Sequence, residues 1–597
     1  MTPLEFVAKW RPVALNERQT AQEHFIDLCR LLREPTPVEA DPLGENYAFE
    51  KGANRATGGH GWADVWKRGR FAFEYKKRHA NLKAALRQLL NYAGALANPP
   101  LLIVCDTNCI EIHTNWNDLV SETITLQLEE LLDPERLQVL KNAFSNPDAL
   151  RPTRSRAEVT EEAAREFAAL AGRLRQRGHD PLVVAHFVNQ ILFCMFSQDV
   201  GLFEDRLFAK FLRQARRLPE QAENLLRGLF RNMAHGGLYG LDRVDWFNGS
   251  LFENDSVLPL LAVDIEALER SAGLNWSAIE PAIFGTLFER GLDPRKRAQL
   301  GAHYTDPSMI ERIIQATISR PLLVEWADLR EEIARLMEAP LPPVVDAPAR
   351  PRRASTPTLF ESLPISGPTE PRRRTTRRLS TPAIEAQSLR DAFLERLRQF
   401  RVLDPACGSG NFLYVALRTL KDIELQVIIE AEALGLPRVF PSVGPEAVLG
   451  IEKNDYAVEL ARVTVWIGEI QWMLRKGFDL SRTPILSSLP GIVKADAIFD
   501  EDGDCEPSWP DADVIVGNPP FMGSKFHLRR LGNAYTARLR ELYAGRVPAG
   551  ADLVCFWFEK ARAMAEEGRV RRVGLLATKS IANAEPSRQV LDRVLAT

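Results

Sequence analysis

The chain has 597 residues, 45% of them hydrophobic and 26% charged, which predicts several globular domains at about 100–200 residues each and excludes a disordered or fibrous protein. A net charge of −3 excludes a uniformly basic polyanion binder, so any nucleic-acid surface has to come from local clustering of the 76 Lys and Arg residues. The seven cysteines are scattered with no CxxC spacing, which argues against a zinc site or disulfide framework. MTPLEFVAKWRP has no apolar signal core and no apolar run nears the ~18 residues of a membrane span, so a reducing, cytoplasmic setting without a membrane partner is expected.

Residues 1–40 read as helix, with Phe25, Ile26, Leu28, Leu31 and Leu32 at helical spacing. From about 46 to 113 short strands surround one helix, a small α/β unit. Within it, GWADVWKRGRFAFEYKK (residues 61–77) separates Asp64 from Glu74 by nine residues, and Lys76 follows. Residues 67–70 form a turn, after which Phe71, Phe73 and Tyr75 face one side and Glu74 and Lys76 the other, beside Asp64. Two carboxylates on adjacent strands can hold Mg²⁺ through oxygen, and a neighbouring Lys can orient or deprotonate a water. That set hydrolyses phosphodiesters. The pattern D-x9-ExK resembles the PD-(D/E)XK nucleases, and Gln88 and Tyr92 on the next helix are similar to the QxxxY of part of that superfamily. A solvated strand face is the alternative.

Residues 155–290 read as almost wholly helical, with Phe187, Ile191, Leu192 and Met195 at bundle-core spacing and no evident chemistry. LGAHYTDPSMIERII (300–314) holds His303, Tyr304 and Thr305. Residues 340–382 contain ten prolines and eight arginines and few core formers, and a segment of 340–390 is expected to be a disordered insertion. Its runs RPRR and RRRTTRR could touch DNA phosphates, with a solvated tail as the alternative.

From 399 the chain becomes strand–loop–helix repeats, the mark of an open parallel sheet. RVLDPACGSGNFLYVALRTL (401–420) passes from strand through Asp404, Ala406, Cys407, Gly408, Gly410 and Asn411 into helix. A Gly-rich turn lets a ligand approach the backbone and meet the N–H groups of the helix start. A dinucleotide site would read GxGxxG, whereas a carboxylate at Asp404 suits a cationic amine better than a pyrophosphate. The loop resembles motif I of class I S-adenosylmethionine-dependent methyltransferases. That resemblance implies that Asp404 lies near the amino end of the cofactor's methionine and that Gly408 and Gly410 make room for it. Glu452 ends the next strand, where a carboxylate can accept from both ribose hydroxyls. Asp496, after Ile492 and Val493, resembles the acid that contacts the cofactor's adenine.

DVIVGNPPF (513–521) runs an apolar strand into Asn518, Pro519, Pro520 and Phe521. Two prolines stiffen the corner and leave its carbonyls free for a ligand. If the Asn518 side chain and the Pro519 carbonyl accept both hydrogens of an adenine N6 amine, the nitrogen lone pair turns towards the methyl donor, and positioning supplies much of the rate. Phe521 offers a stacking face to a base extruded from the duplex. The corner resembles the amino-methyltransferase NPPF signature, which implies adenine rather than cytosine. By the same resemblance, 300–314 is similar to motif X, which closes over the cofactor with Tyr304 and Thr305, and GADLVCFWFEKA with Asp552 and VGLLATKSI (573–581) are similar to motifs V and VI.

The order nuclease, helical connector, motif X, motif I, motif IV resembles the Type IIL, MmeI-like restriction-modification enzymes. The expected organisation is a 1–150 PD-(D/E)XK α/β endonuclease domain, a 151–295 all-α connector and a 296–597 class I, Rossmann-like adenine N6 methyltransferase. S-adenosylmethionine and Mg²⁺ are the implied cofactors and double-stranded DNA the partner. That family's target-recognition domain follows the catalytic core, and only 16 residues follow Ile581 here. A separate C-terminal recognition polypeptide is therefore an expectation. Two other readings stay open: a methyltransferase with an inert nuclease in another phage-defence system, and a truncated fragment without turnover.

Overall fold

In the computed structural model, which describes residues 1–13, 17–54, 60–78, 81–247, 251–281, 306–338, 381–478, 480, 486, 489–500 and 505–596, the first sheet has six strands. They are β1 (Tyr47–Asn54), β2 (His60–Lys67), β3 (Phe71–Tyr75), β4 (Leu101–Cys105), β5 (Cys109–Thr114) and β6 (Thr123–Gln127), paired in sequence order. β3 and β4 are parallel and the other pairs antiparallel. A parallel pair needs a crossover, and the Leu82–Ala93 helix supplies it, capped by Asn81, which accepts from the Lys83 amide. Alternation sends Phe71, Phe73 and Tyr75 against Phe6, Trp10 and Phe25 of the N-terminal helices. It sends Ala72 the other way, against Ala85 and Leu89 of the crossover helix.

The middle of the chain is helical as its spacing predicts, except that β7 (Gly237–Tyr239) and β8 (Asp242–Val244) form a short hairpin. Its Pro181–Asp199 helix is long and apolar enough by composition to cross a membrane. Here it is buried on nearly all sides, and Gln190 donates to the carbonyls of Leu251 and Asn254 at 2.9 and 2.7 Å. An all-round apolar helix is stable only when enclosed in this way. Its core runs without a break into the helices of the C-terminal unit.

The second sheet is wholly parallel, in the order β11–β10–β9–β12–β13. Its strands are β9 (Val402–Asp404), β10 (Val448–Glu452), β11 (Ile492–Lys494), β12 (Val514–Gly517) and β13 (Arg572–Leu575). The central strands β9 and β12 are buried on both faces, which is why they read as continuous apolar runs. Val514 and Val516 pack into one layer, while Ile515 packs into the other with Phe556 and Ala561 of the Val554–Glu566 helix.

One sequence expectation is corrected at its edge. Residues 339–380 lie outside the described residues, but 381–390, assigned to the disordered insertion, open the Thr381–Gln399 helix. Pro382 sits in its first turn, where proline is tolerated, and Ala386, Arg390, Phe393 and Leu397 recur on one buried face. Phe393 packs on Trp326, with ring centroids 5.5 Å apart.

Candidate active site

The chain leaves β9 towards β10 on one side and returns to β12 on the other. Where strand order reverses in this way, a crevice opens at the carboxyl ends of the two strands. Asp404 ends β9 and Gly517–Asn518 end β12 at that crevice. A Cβ at Gly517 would sit 2.5 Å from Asp404 Oδ1, so the acid of the Gly-rich loop and the Asn-Pro-Pro corner lie in direct contact.

Asp404 is 1% exposed and accepts from the Ala406 amide at 3.0 Å. Burial pushes its carboxyl up to about 8, against the pull of that hydrogen bond and with the help of nearby Glu452. Burial also raises Glu452, whose two oxygens accept from the Gly408 and Asn454 amides at 3.0 and 2.9 Å. The Cys407 amide donates to the Ile451 carbonyl at 3.1 Å, which holds the loop on β10. Gly408 and Gly410 have φ of +50° and +83°. At Gly410 a Cβ would meet Ala461 Cα at 2.9 Å. The lack of a side chain there admits close packing of the Asp455–Arg475 helix against the loop. Asn411 starts the Asn411–Ala433 helix beside the crevice.

Asp496 lies just beyond β11. One oxygen accepts from the Ile498 amide at 2.9 Å, and the other meets Lys453 Nζ at 2.7 Å and the Tyr535 hydroxyl at 3.1 Å. His303, Tyr304 and Thr305 lie outside the described residues. The Pro307–Ile314 helix that follows them is capped by Asp306, and Ile313 and Thr317 pack against Gly574 of β13.

Asn518, Pro520 and Phe521 are half-buried, Pro519 is buried, and the Asn518 side-chain oxygen is enclosed. The next residue is pinned from both ends. The Met522 amide donates to Asp552 Oδ1 at 3.0 Å, and its carbonyl accepts from the Leu553 amide at 2.9 Å and from His527 Nε2 at 2.8 Å. Trp557 donates its indole N–H to the Pro405 carbonyl at 3.1 Å, so the Val554–Glu566 helix and the residues just before it tie both loops together. His527 and Trp557 escaped sequence reading because nothing local marks them. Gly517, between an apolar strand and Asn-Pro-Pro, was the one available signal.

In the N-terminal sheet, Asp64 immediately precedes Val65 and Glu74 immediately follows Phe73, the partner of Val65 at the end of the β2–β3 ladder. Asp64 Oδ2 accepts from the Tyr75 amide at 2.6 Å. Glu74 is 2% exposed, and its Oε1 receives Lys76 Nζ at 2.8 Å and Gln88 Nε2 at 2.5 Å. The side chain of Tyr92 is outside the described residues. Among the described residues no three His, Cys, Asp or Glu side chains gather as a metal group. Asp64 and Glu74 are two carboxylate donors of the kind Mg²⁺ takes alongside several waters. A cavity of about 800 Å³ separates the crossover helix from the C-terminal unit, lined by Arg87, Gln88, Asn91, Lys421, Glu469 and Phe478. At its rim Gly477, with φ +73°, lies against Asn91 and the Arg87 carbonyl.

Residues 381–597 match the family described as MmeI, DNA-methyltransferase domain, and residues 183–252 match MmeI, helicase spacer domain. DNA methyltransferase A of Bacillus subtilis (strain 168) is 24% identical over 417 residues, covering 67% of this chain and 40% of that protein. The solved Type IIL restriction-modification enzyme MmeI, in complex with DNA, shares the fold with a TM-score of 0.54 and 24% identity over 73% of this chain and 53% of that one. The chain thus spans about half or less of the length of each.

Proposed function

We propose that this chain, which carries the MmeI-type DNA-methyltransferase and helicase spacer domains, transfers a methyl group from S-adenosylmethionine to the N6 amine of adenine in double-stranded DNA, in the reducing setting its seven free thiols suit. The observation that carries this reading is the contact between Asp404 and Gly517, which sets a cofactor acid beside the Asn518 corner in one crevice of a class I, Rossmann-like sheet.

The residues present fit the cofactor. Asp404 is a buried carboxylate suited to an ammonium, Glu452 is held at a strand tip where ribose hydroxyls can donate to it, and Asp496 stands at the next tip for the adenine edge. Ala406, Cys407, Gly408, Gly410 and Asn411 shape the loop between them, and the resemblance to motif X assigns Tyr304 and Thr305 to the same cofactor. When bound, S-adenosylmethionine supplies a methyl group on a sulfonium leaving group that needs no protonation. Asn518 and the Pro519 carbonyl accept the two N6 hydrogens and fix the amine's lone pair, Pro520 stiffens the corner, and Phe521 stacks on the extruded base. Asp552 and His527 hold the segment that follows the corner through Met522.

The test is transfer of labelled methyl to duplex DNA by the full chain, followed by nucleoside digestion. Label is expected in N6-methyladenine. Asn518→Ala should lower transfer about 10²–10³-fold, the scale of losing one precisely aimed polar group, while the cofactor still binds. Label in cytosine, or full transfer by the variant, would sink the reading.

A second activity is favoured by the Asp64, Glu74, Lys76 and Gln88 cluster. In this reading Asp64 and Glu74 hold Mg²⁺ and Lys76 orients water for phosphodiester hydrolysis in a restriction-modification enzyme. Mg²⁺-dependent nicking should disappear in Asp64→Ala and Lys76→Ala. A wild-type chain that methylates and never nicks would instead fit an inert domain.

A further inference from the structure

The residues immediately after the catalytic corner carry a charge cluster that the chemistry above does not use. Ser524–Phe526 form one turn of 3₁₀ helix and His527–Leu531 a short α-helix. The aromatic ring of Phe526 is shared by three cations: Lys525 Nζ at 5.3 Å from its centroid, the Arg529 guanidinium at 5.2 Å and that of Arg530 at 5.5 Å. Arg529 and Arg530 are exposed, whereas Phe526 is half-buried on the layer that covers the sheet.

Three like charges around one ring lie within roughly a Debye length of each other, ~10 Å at 0.1 M salt, and so repel. The ring face attracts each of them, but the same face cannot neutralise all three. Elsewhere on this chain arginines are commonly paired with acids, as Arg562 is with Glu559 and Glu566 and Arg569 with Asp511. No ion pair joins Lys525, Arg529 or Arg530 to any described acidic residue. A local surplus of positive charge on a chain of net charge −3 is the footprint of a polyanion.

The position of the cluster says which part of the polyanion. Buried His527, between Phe526 and the two arginines, holds the Met522 carbonyl at 2.8 Å, and Met522 follows Phe521 of the corner. The amide of Phe526 donates to the Gly523 carbonyl at 2.9 Å, closing the turn. The cations are therefore fastened to the loop that receives the target base. We propose that Lys525, Arg529 and Arg530, gathered on Phe526, form a phosphate-binding surface that grips the DNA backbone beside the extruded adenine. This rests on the methyltransferase reading and adds to it the residues that hold the strand. Interactions of this kind position a duplex without reading its sequence.

The test is anisotropy titration of a labelled duplex by the full chain with S-adenosylmethionine present, over about 50–200 mM salt, the range in which counterion release is read. The combined Lys525→Gln, Arg529→Gln, Arg530→Gln variant should bind about tenfold or more weakly at the low end. Its log–log salt slope should be shallower by about 0.9 for each phosphate it no longer neutralises. Arg529→Lys with Arg530→Lys, which keeps the point charges, should retain the wild-type slope. Calorimetry with S-adenosylmethionine alone should be the same for all three proteins, which guards against misfolding. A triple variant with wild-type affinity and slope, while the wild type binds and methylates DNA, would overturn this surface and leave the methyltransferase intact. A wild-type chain that binds cofactor but no DNA would overturn both.

Discussion

Asp404→Asn tests the physical state of the proposed cofactor site. The carboxyl is fully buried and pushed from its ordinary 3.8 to about 8, chiefly by loss of water. Its folded-state pKa is raised, so the folded protein keeps the proton longer than the unfolded chain does. Stability is therefore undiminished below about pH 4, falls as pH rises, and bears the whole cost above about 8. At ~1.4 kcal/mol per tenfold change in proton affinity the ceiling on that cost is about 6 kcal/mol. Asparagine keeps an oxygen for the Ala406 amide and removes the charge. The variant should melt several degrees above wild type near pH 9 and no higher than wild type near pH 4. Its affinity for S-adenosylmethionine should fall about 30-fold or more, as when one member of a buried charge pair is removed. Wild-type affinity should climb nearly tenfold between pH 6 and 7, because the carboxyl has to ionise to hold an ammonium, and the variant should lose that dependence. A variant no more stable than wild type near pH 9, or a wild-type affinity flat from pH 6 to 7.5, would refute the assignment of Asp404.

Three further outcomes follow from close approaches. Gly517→Ala places a methyl group 2.5 Å from Asp404 Oδ1, so cofactor binding and methyl transfer should both collapse while the far-ultraviolet spectrum is kept; normal calorimetry would show the crevice to be looser than it looks. Gly477→Ala pushes a methyl group into Asn91 and the Arg87 carbonyl and adds strain at φ +73°, which should loosen the N-terminal unit and speed limited proteolysis near its boundary. Glu459→Gln, at a partly exposed pair, should cost ~1 kcal/mol near pH 6. Glu459 meets His186 Nδ1 at 2.8 Å, and although burial pulls that imidazole down, the hydrogen bond to Glu459 wins and leaves it raised. The pair's contribution is therefore whole below the ordinary 6.5 and is lost as pH climbs through the raised value, so the melting difference from wild type should shrink at high pH.

What was legible in the sequence followed from the geometry of parallel strands. Asp404, Glu452 and Asn518 each end an apolar run, and a parallel sheet brings such ends to one edge, so spacing along the chain became proximity in space. The alternation of Phe71, Phe73 and Tyr75 fixed the face of Glu74 in the same way. Contacts between distant segments left no local trace. Trp557 reaches Pro405 across 152 positions and His186 reaches Glu459 across 273, and no periodicity encodes either. The Thr381–Gln399 helix was misread at its start because the proline-rich run before it coloured residues 381–390. At Gly410 the sequence shows room for a close approach, but that Ala461 of a distant helix packs there had no local signal.

The Leu82–Ala93 helix has a consequence for how such enzymes change. It places Gln88 on Glu74 while Arg87 and Asn91, its immediate neighbours in the coil, rest on Gly477. One stiff rod thus serves as both a latch and a hinge pin. Inserting a single residue between Gln88 and Asn91 would swing Asn91 about 100° around the axis relative to Gln88, since a turn takes 3.6 residues. The two grips cannot both hold after such a slip, so gene fusions that exchange these modules have to cut outside the rod and carry it over whole.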